Sequence, residues 1–380
     1  MLRRRAFSIG LGLAILAGPA LAKEPVGDFV YVGTHGDAGV YGARLDLKTG
    51  HLTPLGQVAA IDRATALVSH PTRPILYSAS ELGNDGSQDG KVFALAIDPR
   101  SGKLATIGSV TAGGGGTTHL AIDTKLKALF AANYGSGSVA AIPLAADGAL
   151  QPVSSVQAHA GSGPSPRQKT PHAHGVTVDP SRGFVLSPDL GADKIYVYRY
   201  DPAARALTPA DPPFEAMPAG SGPRHLVFLP NGRLAILATE LTAELRTFRW
   251  DAKAGRLTPL QALSADVSGY AGPRSVAEIR SSADSRFVYI SNRGDDTLVV
   301  YAVDARGGKL TEIQRLPCGG KTPWSFGIHP SGRWMIVANE ASSLLTVFKI
   351  DPASGKLTAT SETLPIPKPV AIAFYPAGRR

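Results

Sequence analysis

A single cysteine, Cys318, occurs among the 380 residues. That excludes an intrachain disulfide and every cysteine-based zinc site, whatever compartment the protein occupies. No histidine is near Cys318 in sequence, so it reads as a small buried apolar residue; a nucleophile would need a lowered pKa. Beyond residue 22 no apolar run approaches the ~20 residues of a membrane-spanning helix, and no helical periodicity is visible. HExxH, a GxSxG elbow, a Walker loop and a dinucleotide fingerprint are all absent, so the chemistries those motifs carry have no support. No basic stripe is interleaved with aromatics, and nucleic acid is not an expected partner. The run Asn84-Asp-Gly-Ser-Gln-Asp-Gly90 is only loosely like a calcium loop and reads as a polar hairpin loop.

What is present begins with an address. Leu2-Arg3-Arg4-Arg5-Ala6-Phe7 is a basic n-region, Ile9 to Leu16 a short apolar core, and Ala20-Leu21-Ala22 a small-residue cleavage site. Residues 1–22 are therefore expected to be a signal peptide of twin-arginine type, and the protein periplasmic. No cysteine follows the cleavage site to carry a lipid anchor. The net charge of +9 falls to +6 once Arg3, Arg4 and Arg5 are removed, a mild balance that suits solubility or an anionic small substrate.

Residues 23–380 read as one repeating unit. A turn of the form Asp, three residues, Gly, any residue, Leu occurs at Asp46–Leu52, Asp98–Leu104, Asp251–Leu257, Asp304–Leu310 and Asp351–Leu357. Degenerate copies lie at Asp147–Leu150 and Asp201–Leu207, and the seven closing leucines are 46 to 57 residues apart. The glycine supplies the positive φ of a tight hairpin. Each turn is preceded by two short strands joined by a Pro- or Asp-bearing turn, as in Leu226–Glu240 and Phe326–Glu340. Four short strands repeated seven times predict an all-β, seven-bladed β-propeller with four antiparallel strands per blade. The terminal segment Pro369–Pro376 supplies the opening strand that the first repeat lacks, which predicts a ring closed by pairing of the N- and C-terminal strands.

Naming the strands of a blade a to d from the axis outward, starts of a and ends of b share one face. That face collects His119, His172, His174, Arg224, His225, Arg274 and Trp324 from a-starts. From b-ends it collects Glu81, Asn133, Tyr134, Asp189, Glu240, Asn292, Arg293, Asn339 and Glu340. Polar strand ends are often merely solvated. Convergence of histidines, arginines and a glutamate on one mouth of the channel is nonetheless the pattern of a binding site. His172-Ala-His174 could also hold a metal, but no acidic cluster with ligand spacing accompanies it; neither metal nor other cofactor is expected.

These residues resemble the β-propeller lactonase family, which includes propeller-type 6-phosphogluconolactonases and carboxymuconate lactonising enzymes. The carriers are Tyr31–Thr34, Ala132–Tyr134, Gly137–Val139, Pro171–His174, Pro188–Gly191 with Asp193, Gly222–His225, Glu240, Ser291–Gly294 and Asp351–Leu357. The resemblance, over residues 29 to 376, implies lactone hydrolysis with His174 as general base and His172 as runner-up. It implies Arg224 and Arg293 as oxyanion or anion donors, and Glu240 as orienter or proton partner. His225, Arg274, Asn133, Asp189, Asn292 and Trp324 are the expected substrate-binding residues. The expected partner is a small-molecule lactone, with no membrane anchor and a monomeric chain. A cycloisomerase forming a lactone from an unsaturated acid, and a non-catalytic ligand- or protein-binding propeller, stay open as alternatives.

Overall fold

The computed structural model describes residues 27–36, 39–304 and 306–377; residues 1–22, the expected signal peptide, lie outside them. Their 28 strands form seven four-stranded antiparallel sheets. Blade 1 runs, from the axis outward, Pro369–Tyr375, Asp28–Thr34, Val40–Leu45 and Leu52–Ala59. Its innermost strand is the C-terminal one, paired Phe29 to Tyr375 and Val32 to Ile372. The ring is thus closed by the two chain ends, as the sequence predicts. The a strands of blades 2 to 7 begin at Ala66, Thr117, Thr177, Pro223, Val276 and Pro323.

The b strands are the apolar heart of each blade. Ile75–Ser80, Ala128–Asn133, Leu234–Thr239, Phe287–Asn292 and Trp334–Asn339 are buried along their whole length, as expected of strands covered on both faces. The outer d strands alternate or are largely exposed, as in Leu104–Thr111. Blade 4 departs from the pattern. Its a strand shrinks to Thr177–Val178, because Pro188 on the neighbouring strand has no N–H to give, although its carbonyl accepts the His174 N–H at 3.0 Å.

The repeated Asp-to-Leu turn joins strands c and d. In all five full copies the glycine N–H donates to the aspartate carbonyl at 2.8 Å. Gly50, Gly102, Gly255, Gly308 and Gly355 have φ between 70° and 81°. A Cβ at Gly102, Gly255 or Gly355 would strike the ring of Phe29, Phe184 or Phe287 in the preceding blade. The turn carbonyls also latch blades together: Tyr31 Oη donates to Gly102 O at 2.9 Å, Tyr77 Oη to Gly148 O at 2.6 Å, and Tyr289 Oη to Gly355 O at 3.0 Å.

Candidate active site

Two local rules aim side chains at one mouth of the channel. The first concerns the residue just past each b strand. His35, Glu81, Tyr134, Leu190, Glu240, Arg293 and Glu340 hold equivalent positions in blades 1 to 7. Each anchors its amide to a carbonyl just ahead of the innermost strand, for example Glu240 N to Gly222 O at 2.7 Å and Arg293 N to Ser275 O at 2.8 Å. The second concerns the a strands. Thr118, Arg224 and Trp324 each sit at a register shift, between Thr117 and His119, Pro223 and His225, and Pro323 and Ser325. A bulge of this kind re-aims one side chain. From these positions His35, Glu81, Thr118, Tyr134, Glu240, Arg293 and Trp324, joined by His174, line a pocket of about 390 Å³; Leu190, Arg224 and Glu340 are not on its walls.

Glu240, 2% exposed, is the centre of the charge. Arg293 Nη2 lies 2.9 Å and Arg224 Nε 3.0 Å from Oε2, Arg167 Nη1 2.5 Å from Oε1, and His174 Nε2 3.5 Å from Oε2. Burial alone would raise the Glu240 pKa, but the guanidiniums of Arg293, Arg224 and Arg167 together hold it well below the usual carboxylate range. Arg224 is pushed down to about 10 by burial and by Arg293. Burial and the adjacent Arg224 push His174 well below an ordinary histidine, so at neutral pH its imidazole is uncharged. Its Nδ1 is buried with no hydrogen-bond partner among the described residues. Three guanidiniums against one carboxylate leave this side of the pocket with a formal +2.

Of the expected site residues, His174, Glu240, Arg293 and Trp324 line the pocket, and Arg224 stands directly behind Glu240. His172 does not face it. Its Nδ1 is 2.8 Å from Tyr134 O, and its ring stacks on Tyr134 at 4.3 Å, with Tyr134 in turn edge-on to His174 at 5.3 Å. His172 therefore backs a pocket wall. His225 lines a neighbouring pocket with His119 and Arg224 instead, 3.4 Å from Glu278 and with its ring 4.6 Å from that of His119.

Asn133, Asp189 and Asn292 are not brought to the pocket. They are the last residues of their b strands, one short of the pocket position, and alternation turns them away. Each is fully buried in bonds that shape loops: Asn133 to Thr117 and Ala112, Asp189 to His159 and the His172 amide, Asn292 to Ala265 and Asp266. Arg274, 57% exposed, pairs with Asp266 in a separate outer pocket.

Arg167 was not an expected site residue, because Gly161–Lys169 reads as a bare loop. The loop contains a 3₁₀ turn, Pro166–Gln168, with Ser165 and Gln168 forming a capping box; Gln168 is buried and donates to Leu190 O at 2.8 Å. Ser165-Pro-Arg-Gln168 is the legible trace of that box. His35 and Arg63, also on the pocket wall, were missed as well. Among the described residues no three His, Cys, Asp or Glu side chains converge as a metal ligand set, and no helix is long and apolar enough to cross a membrane. Cys318 is buried, its thiol pushed up to about 11 by that burial.

Comparison with known proteins agrees with this architecture. A family model described as "Lactonase, 7-bladed beta-propeller" matches residues 29–374. A 6-phosphogluconolactonase of Bacillus subtilis is 31% identical over 90% of this chain and 97% of its own length. A solved periplasmic gluconolactonase of Pseudomonas aeruginosa is 37% identical, covers 91% of this chain and 98% of its own, and superposes with a TM-score of 0.86. A solved protein from Lactobacillus plantarum is 32% identical, with coverages of 92% and 100% and a TM-score of 0.84.

Proposed function

The chain belongs to the family of seven-bladed β-propeller lactonases, and we propose that it hydrolyses a sugar-type lactone in the pocket at the channel mouth. One observation carries this reading: a buried, uncharged histidine with a free Nδ1 beside a carboxylate held by three guanidiniums. With Nε2–H turned to Glu240, Nδ1 keeps an uncommitted lone pair, and a turn of the ring toward the pocket presents it to water as a proton acceptor. The water oxygen bonds to the lactone carbonyl carbon, and His174 takes the proton. Arg293, on the pocket wall, stabilises the oxyanion that forms, and Arg224 adds its charge from behind Glu240, in a site too buried for bulk water to screen them. The ring C–O bond then breaks, and the leaving oxygen recovers the proton from His174. The product hydroxy acid ionises in solution. Glu240 orients the two arginines and the imidazole throughout, and no cofactor takes part. The names of the Bacillus and Pseudomonas relatives, a 6-phosphogluconolactonase and a gluconolactonase, support the substrate class.

The arginine-rich start, Ala20–Ala22 and the periplasmic relative support an exported enzyme that begins at Lys23, which intact-mass measurement of the exported protein checks. Activity is tested by pH-stat titration of the purified protein against sugar lactones with and without phosphate. The expected result is steady acid release that chelator does not change, and a loss of ~10²–10⁴ in kcat in His174→Ala with little change in melting. Wild-type activity in a His172→Ala/His174→Ala double variant would remove this site, and loss of activity with chelator would overturn the metal-free reading.

A further inference from the structure

The pocket has two unlike walls. Blades 4 to 6 and the Arg167 loop make the arginine side, with its formal +2. Across the ring, blades 1 and 2 present His35 and Glu81, and Glu340 of blade 7 stands behind His35. Glu81 Oε1 accepts from Asn84 Nδ2 at 2.7 Å, and Arg63 Nε donates to the Glu81 carbonyl at 2.8 Å while its Nη2 stays 3.8 Å from the carboxylate. Glu340 Oε1 is 3.5 Å from His35 Nδ1. Burial keeps His35 below an ordinary histidine pKa despite both carboxylates, so this side carries a formal −1. Trp324 divides the two: Arg293 lies over its face at 4.3 Å and the His35 ring meets it edge-on at 4.7 Å.

We propose that the Glu81–Glu340 side is a specificity wall. It binds the hydroxyls at the far end of the substrate and rejects a phosphate there, so the preferred substrate is an unphosphorylated aldonolactone. The inference rests on the hydrolytic reading above. That reading fixes the reacting carbonyl beside His174, where negative charge develops against the arginines. The remaining carbons then extend toward the opposite wall. The Glu81 carboxylate there accepts short, charge-assisted bonds from sugar hydroxyls, and Asn84 Oδ1 is a further acceptor once its amide N–H is committed to Glu81. A phosphate dianion in the same place meets two like charges that a guanidinium 3.8 Å away offsets only in part.

The test is the ratio of kcat/KM for D-glucono-1,5-lactone to that for its 6-phosphate ester, in wild type, Glu81→Gln and Glu340→Gln. Both variants keep the shape and the acceptor oxygen, and circular dichroism confirms their fold. Wild type is expected to favour the unphosphorylated lactone. Each variant is expected to shift the ratio toward the ester by about tenfold, the factor that ~1.4 kcal/mol of relieved repulsion produces. A wild-type preference for the ester, or a ratio unmoved in both variants, would overturn the specificity wall while leaving hydrolysis intact. Turnover of neither lactone would overturn the hydrolytic reading itself, and this inference with it.

Discussion

Replacing Glu240 by glutamine removes one charge and almost no volume, and the structure sets the size of the effect. Two of the three guanidiniums it neutralises are nearly as buried as Glu240 itself, with side-chain exposures of 2% for Arg224 and 8% for Arg293. Arg167 is 49% exposed and contributes little through solvent. Breaking a buried ion pair from one side costs ~3–5 kcal/mol, because the remaining charge stays desolvated. An unfolding entropy of ~2.1 cal/mol/K per residue over roughly 350 residues gives ~0.7 kcal/mol/K, so each kcal/mol lowers Tm by ~1.4 °C. Glu240→Gln should therefore melt about 4–7 °C below wild type in scanning calorimetry. It should also have lost most lactonase activity. The uncompensated arginines then form an anion site, so a sugar-acid anion or phosphate should recover much of the lost Tm in the variant and far less in wild type. A variant that melts within about 1 °C of wild type and gains nothing from anions would refute the charge balance drawn around Glu240.

His174, His225 and His119 all have pKa values lowered by burial. Unfolding therefore takes up protons once pH drops below about 6.5, and each histidine costs about 1.4 kcal/mol of stability per pH unit until its own folded pKa is reached; urea midpoints above and below that pH measure the loss. The lowered His174 pKa also places the acid limb of kcat/KM below the ordinary histidine value, and a limb at or above it would count against His174 as base. Removal of residues 366–380 takes away the strand paired with Asp28–Thr34 and should abolish cooperative unfolding; a truncated protein that melts like the full chain would disprove the closure. Arg167→Ala should raise KM more than it lowers kcat and leave melting almost unchanged, since its side chain is half exposed.

The fold was legible because its signal is repeated seven times in short-range chemistry: a glycine that must take positive φ, an aspartate that closes the turn, and two-residue alternation along the strands. The site was legible where that alternation stayed in phase, and at the a-strand starts that carry Arg224 and Trp324. Glu240 and Arg293 were found because they end clear strand patterns. Asn133, Asp189 and Asn292, one residue earlier, were grouped with them, because a one-residue error in where a strand ends turns a loop-shaping side chain into an apparent pocket residue. The bulges that aim Arg224 and Trp324 leave no mark in single-sequence periodicity. Arg167 is brought to Glu240 across 73 residues by a loop whose own sequence encodes only a capped turn.

The seven positions just past the b strands read, around the mouth, His, Glu, Tyr, Leu, Glu, Arg, Glu. Their backbone amides are all spoken for by carbonyls of the same blade, so the path of the backbone does not depend on which side chain each one bears. The rim behaves as a seven-letter word written on a neutral page. A near-symmetric ring becomes a polarised receptor largely through its spelling, and one substitution can change the meaning without disturbing a strand. Leu190 is the one apolar letter; it is fully buried and off the pocket wall, so blade 4 speaks through His174 instead.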